Sequence, residues 1–399
     1  MLFRLSRLIP WLVVAAGAGG ILLATLHPGG HNVSPEWNWA LTSGEAALAE
    51  LLQNLILFIP FGIGLGWCGL PLLRAVAFGA LLSFSVEFAQ QWIPGRDPSV
   101  GDIMCNAIST ALGVSLVQLA PRWLTVSPAR GGRQALGAAA VAVLVWFGTA
   151  AALQPTFGSS PYRVLARPDF DHWGLYKGEV LEATMQPGLL YVKATFPPRP
   201  SGRLSPLAAI LDARGNRSTI LAVEGRDLSM RYNTPALKLT LEQPDLRWEQ
   251  ALTNIAPGDT FTASTGHESG RLCLAIGTNF RCNLGYTIGD GWRLIFNPEH
   301  WPGWLLAIIN ACWVAGWTIG VGFWAGRTSG GEKGGGEGRR RAAKVAVAFV
   351  LVGMIIVPMT THLHGSSLVE WIGALLGIEL GLVLGSRSWN DLVKPRQAA

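Results

Sequence analysis

Residues 54–66 read NLILFIPFGIGLG and residues 83–113 read SFSVEFAQQWIPGRDPSVGDIMCNAISTALG. Each stretch belongs to apolar runs long enough to cross a bilayer as a helix, which takes about 20 residues. Polar residues nevertheless recur within them at helical spacing. Glu87, Gln90 and Gln91 share one face, and Asn54 shares a face with Glu50 one turn earlier. Asp102, Asn106 and Thr110 form a third stripe that ends at the small residue Gly113. An ionisable side chain at the bilayer centre costs roughly 2.5–3.5 kcal/mol, so such groups face protein or water. Pro94-Gly95 forces a turn between the second and third stripes, with Arg96 and Asp97 in the loop. The pattern sets the fold class: transmembrane helices, antiparallel in sequence order, whose polar faces can converge at one end.

Outward from this region the same reading gives eight spans, near residues 8–26, 48–68, 72–92, 103–120, 134–153, 303–325, 342–360 and 367–386. The first carries Arg4 and Arg7 ahead of its apolar run and lacks a small-x-small site leading into a polar chain, so it is expected to remain as an uncleaved helix. Only 14% of the 399 residues are charged, against about 25% in soluble domains. The charge is concentrated in the middle: residues 154–302 hold 15 of the 31 Lys and Arg beside 14 Asp and Glu. That block is nearly neutral, so the net charge of +6 does not point to nucleic acid. The remaining positive charge flanks the apolar runs, as membrane topology requires.

Loop charge also orients the chain. Arg74, then Arg122, Arg130 and Arg133, then Arg327 through Lys344, then Arg387, Lys394 and Arg396 occupy alternate loops and the C-terminal tail, on the side of Arg4 and Arg7. The other short loops carry only Arg96. The basic side is cytoplasmic. Both termini are therefore expected inside the cytoplasmic membrane and residues 154–302 outside it. The expected organisation is a four-helix membrane block over 1–125, a fifth span at 134–153, an extracytoplasmic domain over 157–300, a three-helix block over 303–386 with a Gly-rich basic loop at 327–341, and a cytoplasmic tail at 387–399.

The polar residues of the first block carry a resemblance. Asn54, Phe58, Pro60 and Gly62, then Glu87 and Gln90, Gly95-Arg96, Asp102, Asn106 and Gly113 together resemble the VanZ-like family pattern, over about residues 1–125. The chain has Ile108-Ser109-Thr110 where that family carries a glycine soon after the asparagine, which puts close packing there in question. The resemblance implies a role in the cell envelope, linked to resistance against teicoplanin-type glycopeptides, and names no reaction. Asn54, Glu87, Gln90, Arg96, Asp102 and Asn106 form the candidate intramembrane site. Asp102 also suits the N-terminus of its helix, and Arg96 can pair with Glu87, Asp97 or Asp102.

The middle block alternates apolar and polar residues over short runs, among them LLYVKATF, STILAVEG, LSMRYN and RLCLAIG, separated by turn residues. Such runs predict an all-β sandwich. The order of features resembles a concanavalin A-like, laminin G-like jelly roll, which implies a lectin-like role. Rings stack on sugar faces, so Trp173, Tyr176, Tyr232 and Trp248 are the candidate glycan contacts. Cys273 and Cys282 flank a short hairpin, and an oxidising compartment permits a disulfide between them. Asp212, Asp227, Asp245 and Asp259 are scattered in turns, and no metal or cofactor is called for. In the last block, Glu379 lies mid-span and is expected to face protein, while His362 and His364 share a loop.

Three functions fit this reading. The first is an envelope protein whose membrane block offers a polar pocket while its outer domain holds a glycan or protein partner. The second is a membrane enzyme acting on a lipid-linked envelope precursor, with Glu87 or Asp102 as acid–base and Arg96 holding an anionic head group. The third is a passive anchor displaying a carbohydrate-binding module.

Overall fold

The computed structural model describes residues 2–26, 46–94, 96, 98–124, 128–156, 160–170, 173–186, 189–268, 271–298, 301–328 and 337–386. Its helices are α1 (Leu2–Thr25), α2 (Ala47–Leu57), α3 (Ile59–Trp67), α4 (Leu72–Gln90), α5 (Val100–Leu124), α6 (Pro128–Ala152), α7 (Pro235–Lys238), α8 (Gly303–Arg327), α9 (Glu337–Thr360) and α10 (Leu368–Ser386). Among the described residues ten strands lie between α6 and α8. Among the described residues eight segments are helical, long and apolar enough to cross a membrane, with α2 and α3 forming one of them. These are the eight spans read from the sequence, and they make the chain a multi-pass membrane protein. The loop at 27–45, Gly95, Asp97, the linker at 329–336 and the tail at 387–399 fall outside the described residues.

The chain divides into two compact units. One comprises residues 1–142, 311–352 and 371–399; the other comprises 143–310 and 353–370.

In the first unit, glycine sets how near the helices come. Lipid provides no hydrophobic drive between helices, so small residues that allow close backbone contact supply the packing. A Cβ on Gly113 of α5 would lie 2.8 Å from Ile63 N and 2.9 Å from Gly62 Cα on α3. A Cβ on Gly62 would overlap the Thr110 carbonyl, and one on Gly79 of α4 would overlap the Thr110 side chain. Close packing around Ile108-Ser109-Thr110 is therefore present: the glycines that permit it stand on α3 and α4 rather than on α5. Between α2 and α3 the helix breaks at Phe58 (φ −90°, ψ −4°), and Pro60, which cannot donate to the preceding turn, opens α3. Phe58 and Phe61 pack edge to face at 6.3 Å, in a core with Ile21, Leu65, Val86 and Val114.

Helices α8 and α10 use a longer version of the same device. Gly373, Gly377, Gly381 and Gly385 recur every fourth residue along α10, and a Cβ at each would run into the α8 backbone at Ala311, Ala315, Ile319 or Phe323. Thr318 Oγ1 crosses the contact to donate to the Ala374 carbonyl at 3.1 Å. This seam corrects the expectation for Glu379. It lies two positions from both Gly377 and Gly381, roughly 200° around the helix from the seam, and its side chain is exposed.

The second unit holds a sandwich of two five-stranded antiparallel sheets, in the orders β1-β4-β5-β6-β7 and β10-β9-β8-β3-β2. The strands are β1 (Arg163–Ala166), β2 (Val180–Gln186), β3 (Leu189–Thr195), β4 (Ser205–Leu211), β5 (Arg217–Glu224), β6 (Asp227–Tyr232), β7 (Leu246–Trp248), β8 (Thr260–Glu268), β9 (Arg271–Ile276) and β10 (Asn279–Leu284). Period-two alternation places Leu190, Val192 and Ala194 of β3, Phe261 and Ala263 of β8, and Leu228 and Met230 of β6 in the interior. Strand β4 is buried along its whole length, because Phe170, Trp173 and Leu204 pack on the cluster of Ala209, Ile220 and Ala222. Cys273 and Cys282 form a disulfide across β9 and β10. A register shift between Arg281 and Leu284 interrupts the ladder where Cys282 lies, and Gly277 at φ +57° makes the tight turn.

A 3-10 helix over Ile288–Leu294 follows β10, and Thr287 and Asp290 cap it reciprocally. Its polar groups interlock with helix ends of the same unit. Thr287 Oγ1 donates to Glu370 Oε1, Asn310 Nδ2 donates to Asp290 Oδ1 at 3.1 Å, and Trp292 Nε1 donates to Asn310 Oδ1 at 2.7 Å. Glu370 also accepts the Ser367 backbone N–H at 2.7 Å and is wholly buried. His362 is exposed, whereas the His364 backbone N–H donates to the Tyr286 carbonyl at 2.7 Å.

Candidate functional site

The polar residues of the first block come together in two layers. The inner layer is closed. Glu87 on α4 is 3% exposed and accepts the Ser99 backbone N–H at 2.9 Å. Asn106 on α5 is equally buried and donates through Nδ2 to Ser83 Oγ on α4 at 2.9 Å. Its Oδ1 finds no donor among the described residues. Gln90, at the end of α4, donates to the Thr25 carbonyl at the end of α1 at 3.0 Å. That carbonyl is one of the last four of α1, which no intrahelical donor reaches, so Gln90 supplies what the helix end lacks.

The outer layer is half-buried. Asn54 on α2 donates through Nδ2 to Asp102 Oδ1 at 2.6 Å, and among the described residues it is the only hydrogen-bond donor to that carboxylate. Asp102 lies in the first turn of α5, where the helix dipole and free backbone N–H groups favour negative charge. Arg96 reaches back to α1, donating through Nη2 to the Ala24 carbonyl at 3.3 Å. The six residues expected at this site thus lie on α2, α4, α5 and the loop between α4 and α5, but they do not form one contiguous set of contacts. Each binds a different partner, and two of those partners, the Ala24 and Thr25 carbonyls, come from a helix that contributes no polar side chain to the set.

Sequence reading missed Ser83 and Ser99. Ser83 was legible, since it precedes Glu87 by four residues on the same face. Ser99 acts through its backbone, which no residue pattern reveals.

Residues 20–121 match the VanZ/LLP1 family model. The match spans the whole polar cluster, the Gly62 and Gly113 contacts between α3 and α5, and none of the sandwich. No curated protein and no solved structure matches the chain. Within the VanZ-matching segment the motif residues divide by task. Pro60 and Phe58 make the break in the second span, and Gly62 and Gly113 bring α3 onto α5; Gln90 and Arg96 bind the end of α1, Glu87 binds the loop before α5, and the Asn54–Asp102 and Asn106–Ser83 pairs join neighbouring helices.

The aromatic candidates of the sandwich are placed differently from one another. Tyr176 and Tyr232 are core residues, 3% and 5% exposed. Tyr176 donates its hydroxyl to the Thr195 carbonyl at 2.8 Å, and Tyr232 packs beside Tyr286. Burial pushes all three phenols above their ordinary range, so they stay protonated. Trp173 is half-buried with the Arg231 guanidinium 4.7 Å above its ring, and Trp248 is half-buried on the edge strand β7. The turn aspartates have protein partners. Asp212 accepts the Arg214 and Asn216 backbone N–H groups at 2.9 and 2.8 Å, and Asp245 pairs with Arg231 at 2.5 Å. Among the described residues no group of three or more His, Cys, Asp or Glu is placed to hold a metal.

Proposed function

We propose that this multi-pass membrane protein, which carries a VanZ-like segment, acts without catalysis in the envelope, linked to teicoplanin-type glycopeptide resistance. The outer layer of the polar cluster, Asn54, Asp102 and Arg96, takes the polar head group of an envelope component. The sandwich, read as a lectin-like jelly roll, holds a glycan or protein partner. Loop charge supports the orientation, with both termini in the cytoplasm and residues 154–302 outside the cytoplasmic membrane. The observation that carries the head-group reading is the difference between the layers. Glu87 and Asn106 are closed off, whereas Asp102 keeps part of its surface exposed and Asn54 is its single donor among the described residues. A partly exposed carboxylate and a guanidinium beside a membrane surface suit a zwitterionic or hydroxyl-rich head group. The same closure weighs against Glu87 as an acid–base.

Arg96→Ala and Asp102→Asn, introduced separately in the native chain, test this reading. Each is expected to raise susceptibility to teicoplanin while membrane levels of the protein stay within twofold of the parent. Unchanged susceptibility at normal protein levels would refute the head-group role. A loss of protein from the membrane in both variants would make the cluster a purely structural clamp.

A further inference from the structure

The sandwich carries a cavity of about 350 Å³ that lies apart from the residues discussed so far. It falls in the size range of small-ligand sites, about 300–1,000 Å³. One wall is the β5–β6 turn. Arg226 is fixed there, donating through Nη1 to the carbonyls of Leu252, Thr253 and Ile255 at 2.8, 3.0 and 3.1 Å, with its guanidinium over the Phe196 ring. The facing wall follows β7. Gln250 is held at φ +54°, a left-handed conformation uncommon for a non-glycine residue, and its backbone N–H donates to Asp227 Oδ1 at 2.7 Å. Strained backbone of this kind collects at ligand sites.

The polar lining is nearly charge-balanced, with most of its charged groups paired. Arg247 binds Glu224 through Nη2 and lies 3.5 Å from Asp227 through Nη1. Glu249 accepts the backbone N–H of Gly303, the first residue of α8, at 3.1 Å. A cation would find two of these three carboxylates already engaged by Arg247, with the Arg226 guanidinium in the same lining, and an anion would be repelled by Glu249. Planar groups locked in ion pairs instead present fixed hydrogen-bonding edges to hydroxyls, each of which donates and accepts. Beside them Trp301 also lines the cavity. It is 36% exposed and braced by Trp292 at 6.3 Å and Phe296 at 5.8 Å. An apolar ring face next to bidentate polar edges complements a pyranose, which has one face of C–H groups and a rim of vicinal hydroxyls.

We propose that this cavity binds one neutral pyranose unit, with Trp301 stacked on the sugar ring and Arg247 and Glu249 hydrogen-bonded to its hydroxyls. The proposal deepens the reading in which the sandwich holds a glycan, and it rests on that reading. Trp301 and Pro302 immediately precede α8, a membrane-spanning helix, so the sugar is either free or the head of a glycolipid.

The test uses the full chain in lipid nanodiscs and saturation-transfer NMR with methyl glucoside, methyl galactoside and N-acetylglucosamine as probes. At least one sugar is expected to receive saturation. Trp301→Leu should weaken its binding about tenfold, while Trp301→Phe keeps most of it. Gly202, another lining residue, has no atom within 4 Å of a built Cβ. Gly202→Phe should therefore plug the cavity without disturbing the fold and abolish transfer. Nanodiscs doped with glucosyl diacylglycerol separate the sources: suppressed transfer to the soluble sugar indicates a lipid-linked ligand, and undiminished transfer a free one, and both agree with the site. Wild-type transfer that survives Gly202→Phe and Trp301→Leu would overturn the cavity and leave a glycan site elsewhere on the sandwich. Absence of transfer to every sugar in the wild type would overturn the glycan reading itself. Transfer to choline but to none of the sugars would reassign the cavity to a cation.

Discussion

Alanine at Gly113 is expected to loosen the VanZ-matching helices even though alanine is the better helix former. The new Cβ would lie 2.8 Å from Ile63 N and 2.9 Å from Gly62 Cα. Comfortable non-bonded separations are about 3.5–4.0 Å, so α3 and α5 must part by roughly 0.7 Å or more. The obstructing atoms belong to backbone, which has no rotamer to change. Overpacking of this kind costs about 1–3 kcal/mol, and alanine's helix propensity offsets about 1 kcal/mol of it. The expected result is a net loss of up to about 2 kcal/mol, several degrees of thermal stability on the usual scaling. Gly19 and Gly20 of α1 are the controls, because a Cβ at either meets nothing within 4 Å. Alanine there should be neutral or slightly stabilising. Cys105, buried on α5, provides the readout. With Cys68 and Cys312 replaced by alanine, a thiol-reactive fluorogenic dye reports the temperature at which this helix opens. Equal melting of Gly113→Ala and Gly19→Ala would refute the close-contact account of the motif glycines.

Two further outcomes concern the sandwich. The disulfide between Cys273 and Cys282 closes a separation of 9 residues, and on the chain-entropy model its reduction should cost roughly 2–3 kcal/mol. Replacing both Cys273 and Cys282 by serine should therefore lower the unfolding midpoint followed by tyrosine absorbance while leaving the Cys105 dye transition in place; a common shift of both would contradict two separately held units. Tyr176, Tyr232 and Tyr286 have phenols that burial holds above their ordinary value of about 10. Above that pH the unfolded chain releases these protons and the folded sandwich keeps them, so stability should fall as pH rises past about 10. Tyr176→Phe should flatten the fall, and an unchanged alkaline slope would count against its burial.

The spans were legible because length and hydropathy decide them almost alone. The glycines and Pro60 were legible as a motif, but their partners were not. Nothing in the residues around Thr110 shows that Gly62 and Gly79 sit against it, since each contact joins separate helices. Glu379 shows the converse failure. The expectation that a mid-span carboxylate faces protein is sound on average, yet the four-residue glycine repeat on either side of it had already assigned the opposite face of α10 to α8. In the sandwich, alternation revealed the strands and the Cys spacing suggested the disulfide. Which aromatic rings are buried depended on the sheet order, which alternation does not encode. The cavity beside Trp301 gathers residues from 202 to 302, so no local pattern announces it.

Two acidic residues at helix starts separate bracing from binding. Asp102 and Glu370 each lie in the first turn of a membrane helix, α5 and α10, and each accepts a hydrogen bond from a neutral side chain of another element, Asn54 or Thr287. There the likeness ends. Glu370 is wholly buried and also takes the Ser367 N–H, so both of its carboxylate oxygens are engaged. A buried carboxylate left short of donors would cost several kcal/mol, and the full set of partners around Glu370 is what lets it serve as a strut. Asp102 keeps part of its surface exposed, with Asn54 its one donor among the described residues. Bracing α2 against α5 would need only a buried amide-to-hydroxyl bond, such as Asn106 to Ser83 already provides between α4 and α5. A carboxylate with one oxygen unengaged among the described residues adds nothing to such a brace, and it is of use only where a further donor arrives from outside them. On that ground the head group proposed for the VanZ-matching segment should meet Asp102 rather than Glu87.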